Sequence, residues 1–307
     1  MKKEKNIKTV NSVSELHKLL ALAQPVHTLI TLIDHRNEPA VPTQDLKQFK
    51  FNFYNITIKR NFQGNIGYGR KYYDFDKGTM TFSAPNQLIT IDNDEQRSRD
   101  GWSLLFHPDL IRSYPLSRTI KNYGFFSYNV HEALHVSEEE DQLIENLVLS
   151  IKKEYQSRID SFSADVLVSS LELLLNYCNR FYNRQFITRK MASSDLLSRF
   201  DEVLSKHFND DSKIDLLTVN VLAQQLNVSQ SYLSDMLRSV TGHNAQQHIH
   251  NKLIEKAKDI LSSTNSSVSE IAYSLGFEYP QSFNKLFKKK TDLSPLEFRQ
   301  SFGWNNN

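Results

Sequence analysis

A chain of 307 residues has room for two domains, each with its own core, and a content of 39% apolar with 11% aromatic residues is globular rather than disordered. The formal charge of +2 supplies no polycationic tail, and the lone Cys178 excludes an internal disulfide and fits a reducing compartment. Met1–Lys5 is followed by no apolar segment, and Leu16–Ile33 is broken by His17, Lys18, Gln24, Pro25 and His27. Neither a secretory signal nor contact with a membrane is therefore expected, and the protein is expected in the cytoplasm.

Residues 1–11 are polar and read as loose chain, and Val13 to Ala23 has helical spacing that ends before Pro25. From Val26 to about Phe106 the apolar period shortens towards two. Thr28 to Ile33, Phe51 to Ile58, Gly67 to Phe75, Gly78 to Phe82, Gln87 to Ile91 and Gly101 to Phe106 are predicted strands. Such short, regularly spaced strands predict a small antiparallel β-barrel. Pro108 to Ile111 starts a short helix, and Phe125 to Tyr128 reads as a further strand. Ser137 followed by Glu138, Glu139 and Glu140 is a helix start, with a capping hydroxyl and acids at the positive end of the dipole. That helix continues through Tyr155, and a second runs from about Ser163 to Phe181. Arg184 to Ser194 is polar and reads as a linker. The expected division is therefore 1–190 and 191–307, the first α+β and the second all-helical.

The second part carries a duplication. Leu222-Ala223-Gln224-Gln225-Leu226-Asn227-Val228, followed by Leu233 and Leu237, recurs as Ile271-Ala272-Tyr273-Ser274-Leu275-Gly276-Phe277, followed by Phe283 and Phe287. Ala223 and Ala272 are 49 apart, whereas Leu233 and Phe283, Leu237 and Phe287, and Thr241 and Thr291 are 50 apart, so the second turn is one residue longer. A small Ala lets two helices approach, and Asn or Gly takes a left-handed turn position. Each copy therefore predicts a helix-turn-helix. Between them Ala245 to Leu261 predicts a helix of roughly 25 Å, long enough to hold two reading helices about one turn of B-DNA apart.

The second helix of each copy, about 230–240 and 281–290, is expected in the major groove of double-stranded DNA. With Leu233, Leu237, Phe283, Leu286 and Phe287 turned to the core, Ser231, Ser234, Asp235, Gln281, Ser282, Asn284 and Lys285 face outward as candidate base-readers. Gln and Asn bond adenine bidentately, and Lys reaches guanine. Ser229, Arg238, Lys288 and Lys289 are candidates for the phosphate backbone. From Met191 onward 12 Lys and Arg meet 13 Asp and Glu, but Lys285, Lys288, Lys289 and Lys290 crowd one helix without an acid among them. A local stripe of this kind suffices for phosphate contacts.

On Ser229-Gln230-Ser231-Tyr232-Leu233-Ser234, Thr241-Gly242, Lys256 to Leu261, Gly276-Phe277, Phe283 to Lys288 and Ser294 to Arg299, the segment from about Asp195 to Trp304 resembles the DNA-binding domain of AraC/XylS-type transcription regulators. The resemblance implies two helix-turn-helix units joined by a long helix, sequence-specific DNA binding, and RNA polymerase as a further partner. Many members carry Arg where this chain has Asp235, which makes the second copy the better-equipped reader. Less specifically, Gly101 to Leu110 and Gly78 to Pro85 resemble the cupin-like sensor domains common in the family. They imply a ligand-binding or dimerising barrel, a small-molecule effector, and a homodimer formed through the helices around 138–182.

The competing class is a zinc hydrolase, because His131-Glu132-Ala133-Leu134-His135 spells HExxH. That motif needs a helix to put both His on one face, and here it sits just ahead of the helix start at Ser137, on chain expected to be extended. His248 and His250 lie two apart on a helix and point to different sides. The barrel offers only His27 and His35, so no metal, cofactor or catalytic residue is assigned. Lys59-Arg60 and Arg97-Ser98-Arg99-Asp100 read as solvated loop charge. Tyr68, Tyr72, Tyr73 and Trp102 read as core rather than pocket.

Overall fold

Among the described residues, runs of β-branched and aromatic residues form eight short strands in the first part of the chain, two long amphipathic helices follow them, and the remainder is built of helices. The computed structural model describes residues 8–37, 48–60, 78–90, 100–158, 160–188, 190–209 and 217–301, and the chain divides into two units, Met1–Gln185 and Phe186–Asn307.

In the first unit β1 (Lys8–Val10) precedes α1 (Val13–Leu19), whose N-cap Ser12 accepts from the Glu15 N–H at 3.2 Å. Then follow β2 (Ile30–Asp34), β3 (Gln48–Phe51), β4 (Tyr54–Lys59), β5 (Thr79–Ser83), β6 (Leu88–Thr90) and β7 (Gly101–Phe106). The helix α2 (Leu116–Thr119) and the short strand β8 (Leu134–His135) come next. Five strands make one antiparallel sheet in the order β2-β7-β4-β5-β8, and three make another in the order β1-β3-β6, in which β1 runs parallel to β3. Val10, Val13, Leu16, Ile33, Phe49, Phe51, Phe53 and Leu105 form one buried cluster with members from both sheets. No strand pairing joins the sheets among the described residues, so the observed architecture is an open five-stranded sheet beside a three-stranded one.

Gly101 begins β7 at φ 141°, and a Cβ there would stand 2.1 Å from the Ile58 carbonyl oxygen, so the close approach of β4 and β7 requires glycine.

Two helices follow. In α3 (Glu138–Gln156) Ser137 and Glu140 cap each other reciprocally, and Ile144, Val148, Ile151 and Tyr155 recur at helical spacing and are buried. Arg60 donates to Asp141 at 2.7 and 2.8 Å and to Glu145 at 2.7 Å, while the Trp102 indole N–H donates to Glu145 at 2.8 Å. The Arg60 side chain is thus an anchor for α3 rather than the solvated loop charge its neighbourhood implied. Tyr155 accepts the Leu32 N–H of β2 at 3.2 Å. In α4 (Ser163–Thr188) Leu167, Leu171, Leu174, Leu175 and Cys178 are buried.

Several expectations are corrected. β1 lies in chain read as loose. The run from Phe51 to Ile58 is two strands, because Asn52 and Phe53 make a bend between β3 and β4. Phe125 to Tyr128 is a 3-10 turn (Gly124–Ser127), in which Phe125 and Phe126 pack on Phe82 instead of pairing as a strand. The expected linker at 184–194 is helical through Thr188 and again from Lys190, and Arg184 and Gln185 at its start are partnered in the fold. Arg184 donates to Glu140 and to the His135 carbonyl, and the buried Gln185 amide donates to the Ala133 carbonyl at 3.1 Å and accepts the His135 N–H at 2.8 Å. The predicted strand Gly67 to Phe75, Tyr68, Tyr72, Tyr73 and Arg97 to Arg99 lie outside the described residues.

The HExxH segment forms a 3-10 turn (Val130–Glu132) and then β8. Glu132 is buried with its carboxylate accepting the Asn129 N–H at 2.6 Å, so it is tied into a capping interaction and the two His do not share a helix face. His35 bonds the Ser103 hydroxyl at 2.8 Å, and burial, with Lys59 nearby, lowers its pKa to about 4.

Candidate nucleic-acid interface

The second unit is built from α5 (Lys190–Asn209), α6 (Val219–Leu226), α7 (Gln230–Thr241), α8 (Ala245–Ser263), α9 (Val268–Ser274), α10 (Pro280–Thr291) and α11 (Pro295–Gln300). In α5 Leu196, Phe200, Leu204 and Phe208 are buried, and the Phe200 ring meets His248 of α8 edge-on at 5.4 Å. In α8 Ala245, Ile249, Leu253, Ile254, Ala257 and Leu261 are buried, a stripe with small residues near both ends. Its 19 residues make a rod of about 28 Å.

The helix pair α6 and α7 is joined by a turn in which Asn227 takes the left-handed conformation (φ 57°) and the Val228 N–H bonds the Ala223 carbonyl at 2.9 Å. The pair α9 and α10 repeats this with Gly276 at φ 81° and the Phe277 N–H on the Ala272 carbonyl at 3.0 Å. Each second helix then ends alike. Thr241 and Thr291 turn their hydroxyls back to the Leu237 and Phe287 carbonyls, Gly242 and Asp292 are left-handed, and Asn244 and Ser294 start the next helix with a capping box. The duplication therefore extends beyond the two helices into the start of the third.

The outward faces of the two copies differ. On α7 Leu233, Met236 and Leu237 are buried, while Ser231, Ser234 and Asp235 are half-buried. The carboxylate of Asp235 pairs with Arg238 at 3.3 Å, one turn along. Ser229 is half-buried, its hydroxyl oxygen accepting the Tyr232 N–H at 3.2 Å as the N-cap of α7, and Tyr232 packs edge-on against Phe186 at 5.2 Å. On α10 Phe283 and Phe287 are buried and packed with Phe277 and Phe298, whereas Gln281, Ser282, Asn284, Lys285, Lys288 and Lys289 are all exposed. Lys290 donates to Asn251 of α8 at 2.8 Å. Burial, followed by Lys290 and Lys289, lowers the pKa of His250 on α8, so the lysine stripe continues onto the linking helix as a neutral imidazole beside two ammonium groups. Asn251 was not singled out from sequence, and His250 was weighed there only as a metal ligand, since spacing along α10 alone says nothing of what faces it from α8.

A family model described as a helix-turn-helix domain matches residues 222–301, the stretch that carries both copies. The HTH-type transcriptional activator RhaS of Escherichia coli is 23% identical over 273 residues, covering 86% of this chain and 91% of that protein. The transcriptional regulator YisR of Bacillus subtilis is 33% identical over 97 residues, 32% of each chain. The C-terminal domain of the response regulator yesN from Fusobacterium nucleatum is 31% identical and covers 33% of this chain and 93% of its own, at a TM-score of 0.29. The C-terminal segment thus carries an AraC-type helix-turn-helix domain. With that domain the chain is a DNA-binding transcription regulator, and double-stranded DNA is its partner. Its AraC-type domain is the pair of units just described, with α7 and α10 as second helices and α8 as the joint. No described helix is long and apolar enough to cross a membrane.

Proposed function

We propose that the AraC-type domain reads sequence through both second helices, with α10 contributing most of the discrimination. Gln281, Ser282, Asn284 and Lys285 would meet base edges in one major-groove segment, and Ser231, Ser234 and Asp235 would meet them in the next. Lys288, Lys289, Arg238 and Ser229 would hold the phosphates. The observation that supports this reading is the contrast in exposure: α10 offers an uninterrupted amide-and-ammonium face, and α7 offers half-buried hydroxyls and an ion-paired acid. A rod of α8's length fits two such helices on one face of the duplex. Residues 1–190 are proposed as a cupin-like sensor and dimerisation domain. A small-molecule effector bound there would change operator occupancy only by binding one arrangement of the homodimer better than another. RNA polymerase is the partner through which promoter output would change.

Footprinting of the full chain on genomic fragments, repeated at rising salt, tests the reading. A protected segment spanning two successive major-groove faces is expected, with affinity falling steeply as counterions compete. Protection of a single face, or affinity indifferent to salt, would refute two-site reading.

A further inference from the structure

Each copy places one residue at the mouth of its second helix, and the two positions are equivalent at the spacing of 50 that relates Leu233 to Phe283. In the first copy it is Ser229, whose hydroxyl caps α7. In the second it is Tyr279. Thr218, Ser229, Asn244, Ser267 and Ser294 each cap their helix by accepting a backbone N–H, and Tyr279 makes no such bond. The chain thus forgoes a stabilising contact at this one start among α6 to α11. Folding does not require the ring in exchange. Tyr279 is 62% exposed, and the apolar anchor of the turn is already supplied by Phe277, packed on Phe283 at 5.5 Å. Pro280 follows at the first helical position and fixes φ there, so the backbone carrying the ring is stiff. A local rule broken without a folding gain, on the face of a helix that meets DNA, marks a residue kept for contact.

We infer that Tyr279 is a specificity-determining residue that lays its ring against the 5-methyl group of a thymine at the edge of the α10 segment. This rests on α10 reading bases. In the major groove the thymine methyl is the one apolar feature a base pair presents, and an exposed ring ahead of the helix's first polar side chains is suited to cover it. The phenol hydroxyl would instead favour a phosphate oxygen, which carries no sequence information, and one arm of the test separates the two.

The test uses the full chain and a duplex selected by it from a random pool, with each thymine replaced in turn by deoxyuridine, which removes only the methyl. At one thymine in the α10 segment the wild type is expected to bind about fourfold more weakly to the uracil duplex, the factor that burying one methyl group gives. Tyr279→Phe should keep that ratio, whereas Tyr279→Ala and Tyr279→Ser should bring it to about one. Tyr279→Ser should in addition raise the thermal midpoint by restoring a cap, so loss of discrimination would accompany a gain in stability. Retention of the ratio by Tyr279→Ala, its loss in Tyr279→Phe, or no uracil effect in the α10 segment would overturn the inference. Should Asn284→Ala and Lys285→Ala weaken selected and scrambled duplexes alike, base reading by α10 fails and Tyr279 with it. Should they discriminate while Tyr279→Ala keeps the ratio, only the role of Tyr279 falls.

Discussion

The two helix-turn-helix copies share a backbone plan down to individual hydrogen bonds, yet present opposite chemistry. Ala223 and Ala272 accept the same bond across the turn, and Thr241 and Thr291 close the second helices in the same way. Over that common frame Asp235 corresponds to Lys285, Ser239 to Lys289 and Val240 to Lys290. The core positions diverge as well: Leu233 and Leu237 in the first copy stand where Phe283 and Phe287 stand in the second. Duplication fixes where a surface is presented and leaves free what it carries, because the capping and turn bonds engage backbone groups and the side chains at the helix ends, not the outward residues between them.

The equivalence of the two interiors can be broken most strongly by truncation. Phe287 and Leu237 are both fully buried at matching positions. Phe287→Ala is expected to cost about 3–5 kcal/mol and Leu237→Ala about 2–5 kcal/mol in denaturant unfolding. A loss under 1 kcal/mol at either site would mean that this copy is not held by the packing seen. The asymmetry of the outer faces is sharpened by binding. Lys285→Ala and Asn284→Ala should each lose roughly 1–3 kcal/mol on the preferred duplex and much less on unrelated DNA. Ser234→Ala and Asp235→Ala should lose less than either, and equal losses from both copies would remove the proposed dominance of α10. The smallest effect concerns acid. His248 stands where the second copy has Phe298, and it packs on Phe200. Burial, then the neighbouring His243, lowers its pKa in the folded protein. The unfolded chain therefore takes up a proton that the folded one resists, so stability is highest above the ordinary histidine value of about 6.5 and is lost as pH falls through it. Thermal midpoints should drop between about pH 7.5 and about pH 5.5, and His248→Phe should shrink the drop. An unchanged drop would place the sensitivity elsewhere.

The AraC-type domain was legible in the sequence because its signals are local and occur twice. A small residue, a left-handed turn residue and apolar residues four apart are each set by contacts within a few positions. The first unit was harder to read. β1 is three residues long and exists through its parallel pairing with β3, some forty residues away, so nothing within the segment announces it. Phe125 and Phe126 carry strand propensity, but their packing on Phe82 is satisfied by a tight turn. Arg184 and Gln185 have linker composition, yet their polar groups serve the backbone of β8 and the carboxylate of Glu140. Polarity signals exposure only where no buried partner exists, and the partners here lie some fifty positions upstream. Gln281, Ser282, Asn284 and Lys285 on α10 are exposed, while Ser231, Ser234 and Asp235 on α7 are half-buried, a difference that periodicity along one helix does not encode.

The tyrosine of α3 and the glutamine of α4 have one more effect. β2 and β8 are the two outermost strands of the five-stranded sheet, and Tyr155 engages the Leu32 amide while Gln185 takes the His135 amide on β8 and the Ala133 carbonyl just before it. Side chains thus stopper each rim against recruitment of a foreign strand. The same two helices that bury the sheet also guard it from runaway self-association, and loss of either side chain would show first as insolubility rather than as altered gene control.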